Sequence, residues 1–152
     1  MSRLWRTRGM RRSPSIMVGH ALLSGLRRGE LFALRWRDID EPQRVLTVRE
    51  AVYDGTFGTP KTEAGTRQIP LSDTALRLIV EWKAHAKNTG PDTLVFATRL
   101  GKPLSPNNVL RRAIFPTCDR LELPHATWLT FRRTYSSWSH EKGVPGKVVA
   151  RS

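Results

Sequence analysis

Residues 24–36 read SGLRRGELFALRW and place two adjacent arginines, Arg27 and Arg28, directly before an apolar stretch. The apolar residues that follow at core-forming spacing are Leu31, Phe32, Leu34 and Trp36. An arginine at the start of a core is either solvated, with its stem packed over apolar neighbours, or held rigidly to bind an anion. This stretch leaves both interpretations open, and only the rest of the sequence can distinguish them.

The charge of the chain favours a polyanionic partner. With 152 residues, the chain is long enough for one domain with a core of its own. It has 26 basic and 13 acidic residues, and five of the arginines fall within the first twelve residues. Without those five, 21 basic residues still face 13 acidic ones, so the excess belongs to the folded part as well. Nucleic acid is the usual partner of such a domain.

Several other classes of protein are not indicated. Cys118 is the single cysteine, which predicts no disulfide framework and suits a cytoplasmic protein. The four histidines show no metal-ligand spacing, so neither a metal nor another cofactor is expected. No apolar run approaches the roughly 18 residues that cross a bilayer, and no small-molecule substrate is indicated.

Periodicity predicts an α+β domain at residues 14–152, preceded by a flexible basic arm at residues 1–13. Pro116 predicts either a kink or a second helix that reaches Leu121. The predicted helices cover residues 14–23, 27–36, 72–90, 105–115 and 130–142. The predicted strands form one small antiparallel sheet within residues 43–71, with a polar connection at residues 61–66, and a short buried strand at residues 94–96.

Three cations lie at structural junctions, where a functional role competes with an ordinary one. Arg27 follows the Ser-Gly turn, Lys61 lies in PKTEAGTRQIPL, and Arg132 lies in TWLTFRRTYSSW. Taken singly, each signal is weak. The string GLRRGE is common, a lysine in a turn is usually solvated, and Arg132 with Arg133 also fits one basic face of a helix. An arginine among many apolar neighbours nevertheless needs a partner, and a phosphate suits its planar fork of donors.

In their order along the chain, these motifs resemble the catalytic domain of the tyrosine recombinases, the phage-integrase family. GLRRGELFALRWRDID is similar to the first arginine box of that family, and PKTEAGTRQIPL to the hairpin that carries its lysine. FRRT is similar to the core of the second arginine box. The resemblance covers roughly residues 15–150. It implies a mainly helical α+β catalytic domain with a small antiparallel sheet, of which residues 14–152 would form a part.

The resemblance also implies a chemistry. Family members cut one DNA strand with a tyrosine hydroxyl, which leaves a 3′-phosphotyrosyl link and a free 5′-hydroxyl. Arg27 and Arg132 match the two arginines that clamp the phosphoryl oxygens, and Lys61 matches the lysine that protonates the leaving oxygen. The further predicted DNA-binding residues are Arg28, Arg133, Arg67 and Lys102. Glu30 either braces the arginine helix or forms an exposed salt bridge, and the sequence leaves these two alternatives open.

The departures from the family pattern predict a chain that is inactive alone. Leu129 stands where the family has histidine, and His125 is not at the motif position. Neither tyrosine of the sequence, Tyr53 nor Tyr135, lies where the family places its nucleophile. The short arm at residues 1–13 is too small for the usual N-terminal clamp domain. The expectation is therefore an integrase-like, DNA-binding protein that is truncated at both ends.

Other functions remain open from the sequence. One is a non-catalytic DNA-binding module, or a remnant of a mobile element, that interferes with a full-length integrase. A second is an enzyme completed by a tyrosine from another chain. A third is a basic RNA- or ribosome-associated protein, which explains the charge but not the ordered boxes. The DNA-binding alternatives predict association with the nucleoid.

Overall fold

The computed structural model describes Gly19, residues 25–59 and residues 66–141, with residues 138–141 as backbone only. The predicted basic arm, almost all of the helix predicted at residues 14–23, and Lys61 lie outside these residues. The described part is α+β, as the sequence predicted, with helices around small antiparallel sheets.

The helices and strands follow one another in a simple order along the chain. The helices are α1 (Arg28–Phe32), a 3₁₀ turn (Trp36–Asp38), α2 (Asp73–His85), α3 (Pro106–Val109), a π-helical segment (Leu110–Ile114), α4 (Phe115–Arg120) and α5 (Trp128–Glu141). The strands are β1 (Ile39–Asp40), β2 (Val45–Val48), β3 (Ala51–Tyr53), β4 (Thr56–Gly58) and β5 (Arg67–Pro70).

The strands form two sheets where the sequence predicted one. β2 lies between β1 and β5, antiparallel to both, and Leu46 pairs with Ile69 at its centre. β3 and β4 form a separate hairpin. Between β2 and β3 the strand pairing is interrupted at Arg49 and Glu50. The Arg49 side chain donates to Asp38, and the Glu50 carboxylate accepts from Arg35. These two ion pairs hold the hairpin against the segment that follows α1.

Asp38 is an unusual buried acid in this connection. Only 3% of it is exposed, and its carboxylate accepts hydrogen bonds from the Arg35 amide (2.9 Å) and from Arg49 Nε (3.0 Å). Burial raises the pKa of the Asp38 carboxyl above its ordinary value, and the hydrogen bonds and nearby arginines partly oppose this. Asp38 therefore fixes the turn after α1 at the cost of a desolvated charge.

Helix α1 is shorter than the sequence predicted, because the chain pairs with a distant segment. The Leu34 carbonyl accepts a hydrogen bond from the Val95 amide (2.8 Å), and the Trp36 amide donates to the Thr93 carbonyl (3.1 Å). These bonds require extended backbone, so the helix predicted up to residue 36 ends at Phe32. The strand predicted at residues 94–96 is buried but forms only an isolated bridge, between Leu94 and Arg35.

Two of the remaining helices, α2 and α3, begin at the serine caps that the sequence predicts, and α5 begins at Trp128, two residues before the predicted start. Ser72 Oγ accepts a hydrogen bond from the Ala75 amide (3.1 Å), and Ser105 Oγ accepts one from the Asn108 amide (3.3 Å). Helix α2 ends at His85, earlier than the predicted end near residue 90.

Pro116 acts through a local widening of the helix. It has no amide hydrogen, and its ring would crowd the carbonyl of Arg112 in a regular α-helix. The π-helical segment immediately before α4 relieves this crowding and lets the helix continue to Arg120. The sequence offered a kink or a second helix, and the structure combines a distorted turn with a continuing helix.

Packing of the core brings α5 against α1. The largest fully buried side chains are Phe32, Phe96, Leu31, Leu46 and Ile79. The Trp128 ring meets the Phe32 ring edge-on, with centroids 5.2 Å apart and planes at 83°. Such a pair contributes roughly 0.5–1.5 kcal/mol beyond its area burial. The contact fixes the start of α5 beside α1, one turn before Arg132.

Gly25 makes a second close approach between these parts of the chain. Its φ is +65°, and a Cβ atom there would lie 2.3 Å from Cδ1 of Tyr135. Only glycine fits both the left-handed backbone and the aromatic ring. The Tyr135 ring thereby occupies the space before α1.

We expect Gly25→Ala to lower the free energy of unfolding by about 2–4 kcal/mol, since it combines a left-handed alanine with overpacking against Tyr135. Gly101→Ala is the matched control, because Gly101 has a φ of +77° and no atom within 4 Å of an added Cβ. The control should lose only about 1–2 kcal/mol. Urea unfolding of both variants measures the difference, and equal losses would contradict the Tyr135 contact.

Candidate functional site

Arg27 is held by the first turn of α1. Its backbone is extended, with φ −69° and ψ 153°, and it occupies the N-cap position. Its amide donates to Glu30 Oε2 (3.1 Å), and its carbonyl accepts from the Leu31 amide (3.0 Å). The Arg27 residue itself is exposed. A fixed backbone therefore presents this guanidinium at the surface, directly beside the core.

Glu30 forms the strongest ion pair of this region. Its two carboxylate oxygens accept hydrogen bonds from Arg67 Nη1 (3.0 Å) and Nη2 (2.7 Å). The side chains are only 8% and 15% exposed, respectively. This bidentate pair joins α1 to the first residue of β5. Of the two roles that the sequence left open for Glu30, the geometry supports bracing of the arginine helix.

Arg132 lies on α5 in a cationic environment. Burial lowers the pKa of its guanidinium, and the positive charges of Arg27 and Arg67 lower it further. Glu30 and Tyr53 act in the opposite direction. Because charges shift a pKa strongly only at close range, these groups share one region of the molecule. The contacts of Trp128 with Phe32 and of Tyr135 with Gly25 likewise place α5 against α1, so Arg27 and Arg132 lie in one region although they are far apart along the chain.

We call the group of three arginines around Glu30 the cationic cluster; its members are Arg27, Arg67 and Arg132. Three guanidinium groups share the region of one carboxylate, and that carboxylate already binds Arg67. The surplus positive charge lies on Arg27 and on the half-buried Arg132. Partial burial strengthens the field of such charges, because less water screens them. The cluster can therefore attract an anion with several acceptor oxygens.

Comparisons with known proteins show which family the chain belongs to. The sequence model of the phage integrase family matches residues 7–152. The chain belongs to this family. The tyrosine recombinase XerC-like protein of Caldanaerobacter subterraneus subsp. tengcongensis is 26% identical over 151 residues, which cover 84% of this chain and 38% of the relative. The prophage integrase IntR of Escherichia coli is 44% identical over 63 residues, or 40% of this chain and 15% of the relative.

Solved structures show the same integrase fold. The Tn1549 transposon integrase in complex with a circular intermediate DNA matches with a TM-score of 0.76 at 21% identity, over 93% of this chain and 49% of that chain. The XerA recombinase matches with a TM-score of 0.72 at 15% identity, over 99% and 52% of the two chains. The chain thus spans about half of these structures, and 38% or less of the two curated relatives.

The remaining residues that the sequence predicted as catalytic or DNA-binding lie outside the cationic cluster or outside the described residues. Arg28 and Arg133 are exposed, and Lys102 lies in an exposed turn whose amide donates to Thr98 Oγ1 (3.2 Å). Lys61 lies outside the described residues. The DNA-binding and catalytic roles of these residues stay predictions. In residues 25–59 and 66–141, no helix is long and apolar enough to span a membrane, and no acidic, histidine and cysteine side chains group as metal ligands.

The position of the family's histidine is open to solvent. Leu129 is 53% exposed on α5, one turn before Arg132. The neighbouring His125 is engaged elsewhere: its Nε2 lies 2.8 Å from Asp119 Oδ1, and its ring stacks on Phe115 at 4.2 Å. If Leu129 stands at the histidine position, as the family resemblance predicts, that position holds an exposed aliphatic side chain that cannot transfer a proton.

Sequence reasoning missed the partner of Arg67 and the position of Tyr53. Arg67 was predicted to bind DNA, whereas its guanidinium is mostly buried against Glu30. The available signal was that Glu30 is the single acid within residues 24–36 and directly precedes the apolar run Leu31–Leu34. Tyr53 gave no such signal, because its place beside the arginine box depends on the fold of the β3–β4 hairpin.

We expect Glu30→Gln and Arg67→Met each to lower the free energy of unfolding by about 3 kcal/mol, because each leaves a buried charge without its partner. The double variant should lose less than the sum of the two, with a coupling energy of about 1–3 kcal/mol in urea unfolding.

The matched control is the exposed pair of Arg37 and Asp92, whose side chains are 48% and 81% exposed. The same cycle with Arg37→Met and Asp92→Asn should give a coupling below about 1 kcal/mol. Equal coupling in the two cycles would show that the Glu30–Arg67 pair is not the brace described here.

Proposed function

We propose that this chain is the DNA-gripping part of an integrase, and that Arg27 and Arg132 hold one phosphodiester of duplex DNA. The observation that carries the proposal is the packing of α5 against α1, which places both arginines in the region of Glu30, a carboxylate that is already bound to Arg67. A phosphodiester offers one negative charge and two free oxygens, which suit two guanidinium forks. The related Tn1549 integrase was solved with DNA, which supports DNA as the anion.

The two arginines would contribute in different ways. Arg27 is exposed and can meet the phosphate as the DNA approaches. Arg132 is half-buried, so it has already lost part of its hydration and its field is less screened. During strand transfer, negative charge grows on the phosphoryl oxygens, and cations fixed in advance stabilise that charge without reorganising. Lys61 would deliver the proton to the leaving 5′-oxygen.

We propose that this chain binds DNA without cleaving it by itself. Leu129 can neither transfer a proton nor donate a hydrogen bond, and it lies exposed on the helix that carries Arg132. The Tyr135 ring packs at Gly25. In the sequence, Tyr135 does not stand where the family places its nucleophile. A non-catalytic module that occupies the site of a full-length integrase, close to the nucleoid in the cytoplasm, is the second candidate that these observations favour.

The proposal predicts binding that depends strongly on salt. The observed association constant for duplex DNA should fall steeply as salt rises, and Arg27→Gln and Arg132→Gln should each reduce the slope of log K against log salt by about 0.9 for one lost phosphate contact. Fluorescence anisotropy with a labelled duplex measures both. Arg44→Gln is the control, since Arg44 is exposed and pairs with Asp73 at another turn. A flat salt response would reject the proposal.

A duplex with a nick that traps covalent intermediates tests whether the chain cleaves DNA by itself. The chain alone should give no covalent protein–DNA adduct, because the residues around the cationic cluster supply charge but no activated nucleophile. Leu129→His should leave the free energy of unfolding within about 0.5 kcal/mol of the parent, since the side chain is exposed. An adduct formed by the unchanged chain would overturn the non-catalytic reading.

A further inference from the structure

Tyr53 lies at the tip of a hairpin that is anchored to the arginine box. It ends β3 and pairs with Thr56 across a two-residue turn. Both turn residues, Asp54 (φ 51°) and Gly55 (φ 78°), have the positive φ of a tight hairpin turn. Behind the tip, the Arg35 guanidinium lies 5.0 Å from the centre of the Phe57 ring. The hairpin is therefore held in place relative to α1.

Gly29 creates the space that the Tyr53 ring occupies. A Cβ atom at Gly29 would lie 2.7 Å from Cζ of Tyr53 and 2.9 Å from its Cε1. Cζ is the ring carbon that carries the hydroxyl. The hydroxyl end of Tyr53 thus lies over the first turn of α1, two residues after Arg27 and next to Glu30. A glycine at this point of the arginine box permits the approach.

Tyr53 also lies in the region of Arg132. Tyr53, and not Tyr135, is among the groups that affect the pKa of the Arg132 guanidinium, and it raises that pKa. Tyr53 is 53% exposed although its ring rests on α1. Among the described residues, its hydroxyl has no hydrogen-bond partner within the chain. An exposed hydroxyl over the first turn of α1, two residues from Arg27, is placed to meet an anion that Arg27 binds.

We infer that Tyr53 is a third ligand of the DNA phosphate group, donating its phenolic hydrogen to an oxygen held by Arg27 and Arg132. The inference rests on the proposed function, which it extends by one residue. Tyrosine suits this role because its rigid ring positions a neutral donor without adding another repelling charge. Hydrogen bonds to charged groups are stronger than neutral ones, so the hydroxyl contributes measurably to affinity.

The test compares Tyr53→Phe with the full parent chain in duplex binding at fixed salt. The variant keeps the ring over Gly29 and removes only the hydroxyl, so the dissociation constant should rise about tenfold. Tyr135→Phe is the matched control, and it should leave the dissociation constant unchanged. Gly29→Ala displaces the ring while keeping the hydroxyl, and its effect on binding should not add to that of Tyr53→Phe. Thermal unfolding checks that each variant is folded.

A spectroscopic measurement makes the test independent of affinity. In a Tyr135→Phe background, Tyr53 is the single remaining tyrosine, so ring-labelled tyrosine gives one Cζ signal in carbon NMR. Adding duplex DNA should shift this signal, and the same addition to an Arg132→Gln variant should shift it less. A signal that DNA saturation leaves unmoved would overturn the inference.

The outcomes separate this inference from the proposed function. If Arg132→Gln weakens binding and Tyr53→Phe does not, the Tyr53 ligand is wrong and the arginine clamp stands. If neither variant weakens binding, the clamp itself is wrong. If the trapping duplex gives a covalent adduct that disappears in Tyr53→Phe, Tyr53 attacks the phosphate, and its assignment as a hydrogen-bond donor is overturned.

Discussion

The bidentate bond between Glu30 and Arg67 is the interaction on which the site depends. It neutralises one of three clustered guanidinium groups and joins α1 to the sheet. The same carboxylate accepts the Arg27 amide, so it also fixes the start of the helix that carries Arg27. Without this acid, three like charges would share one partly buried region, and each would have to be hydrated separately. The fold therefore tolerates three clustered arginines because one of them, Arg67, is already neutralised by Glu30.

Two apolar contacts then set the distance between the arginine boxes. Trp128 packs edge-on against Phe32, and Tyr135 fills the space at Gly25, so α5 touches the chain just before α1 and at the last residue of α1. Arg132 lies between these two contacts on α5. Its partial burial follows from them, and so does the lowered pKa of its guanidinium. The cationic cluster is consequently a product of core packing rather than of local sequence.

The sequence could predict what depends on local pattern and on the order of the boxes. The family, the α+β class and the capping serines Ser72 and Ser105 all followed from such signals. The end of α1 did not, because it is decided by hydrogen bonds to residues 93–95. The division into two sheets and the pairing of Arg67 likewise require partners distant in the chain. The same holds for Tyr53, whose significance appears only once Gly29 lies beneath its ring.

Binding a phosphate and cleaving a DNA strand make different demands on the residues of this fold. Holding a phosphate requires positive charge at fixed positions, and the core contacts around Arg27 and Arg132 provide it. Cleaving a strand further requires a proton-transferring group and a nucleophile, which fixed positive charge does not replace. Leu129, which the family resemblance places at the histidine position, is 53% exposed, so the core does not constrain the residue type there. A chain can therefore keep the integrase fold and its grip on DNA while the residues for chemistry change independently.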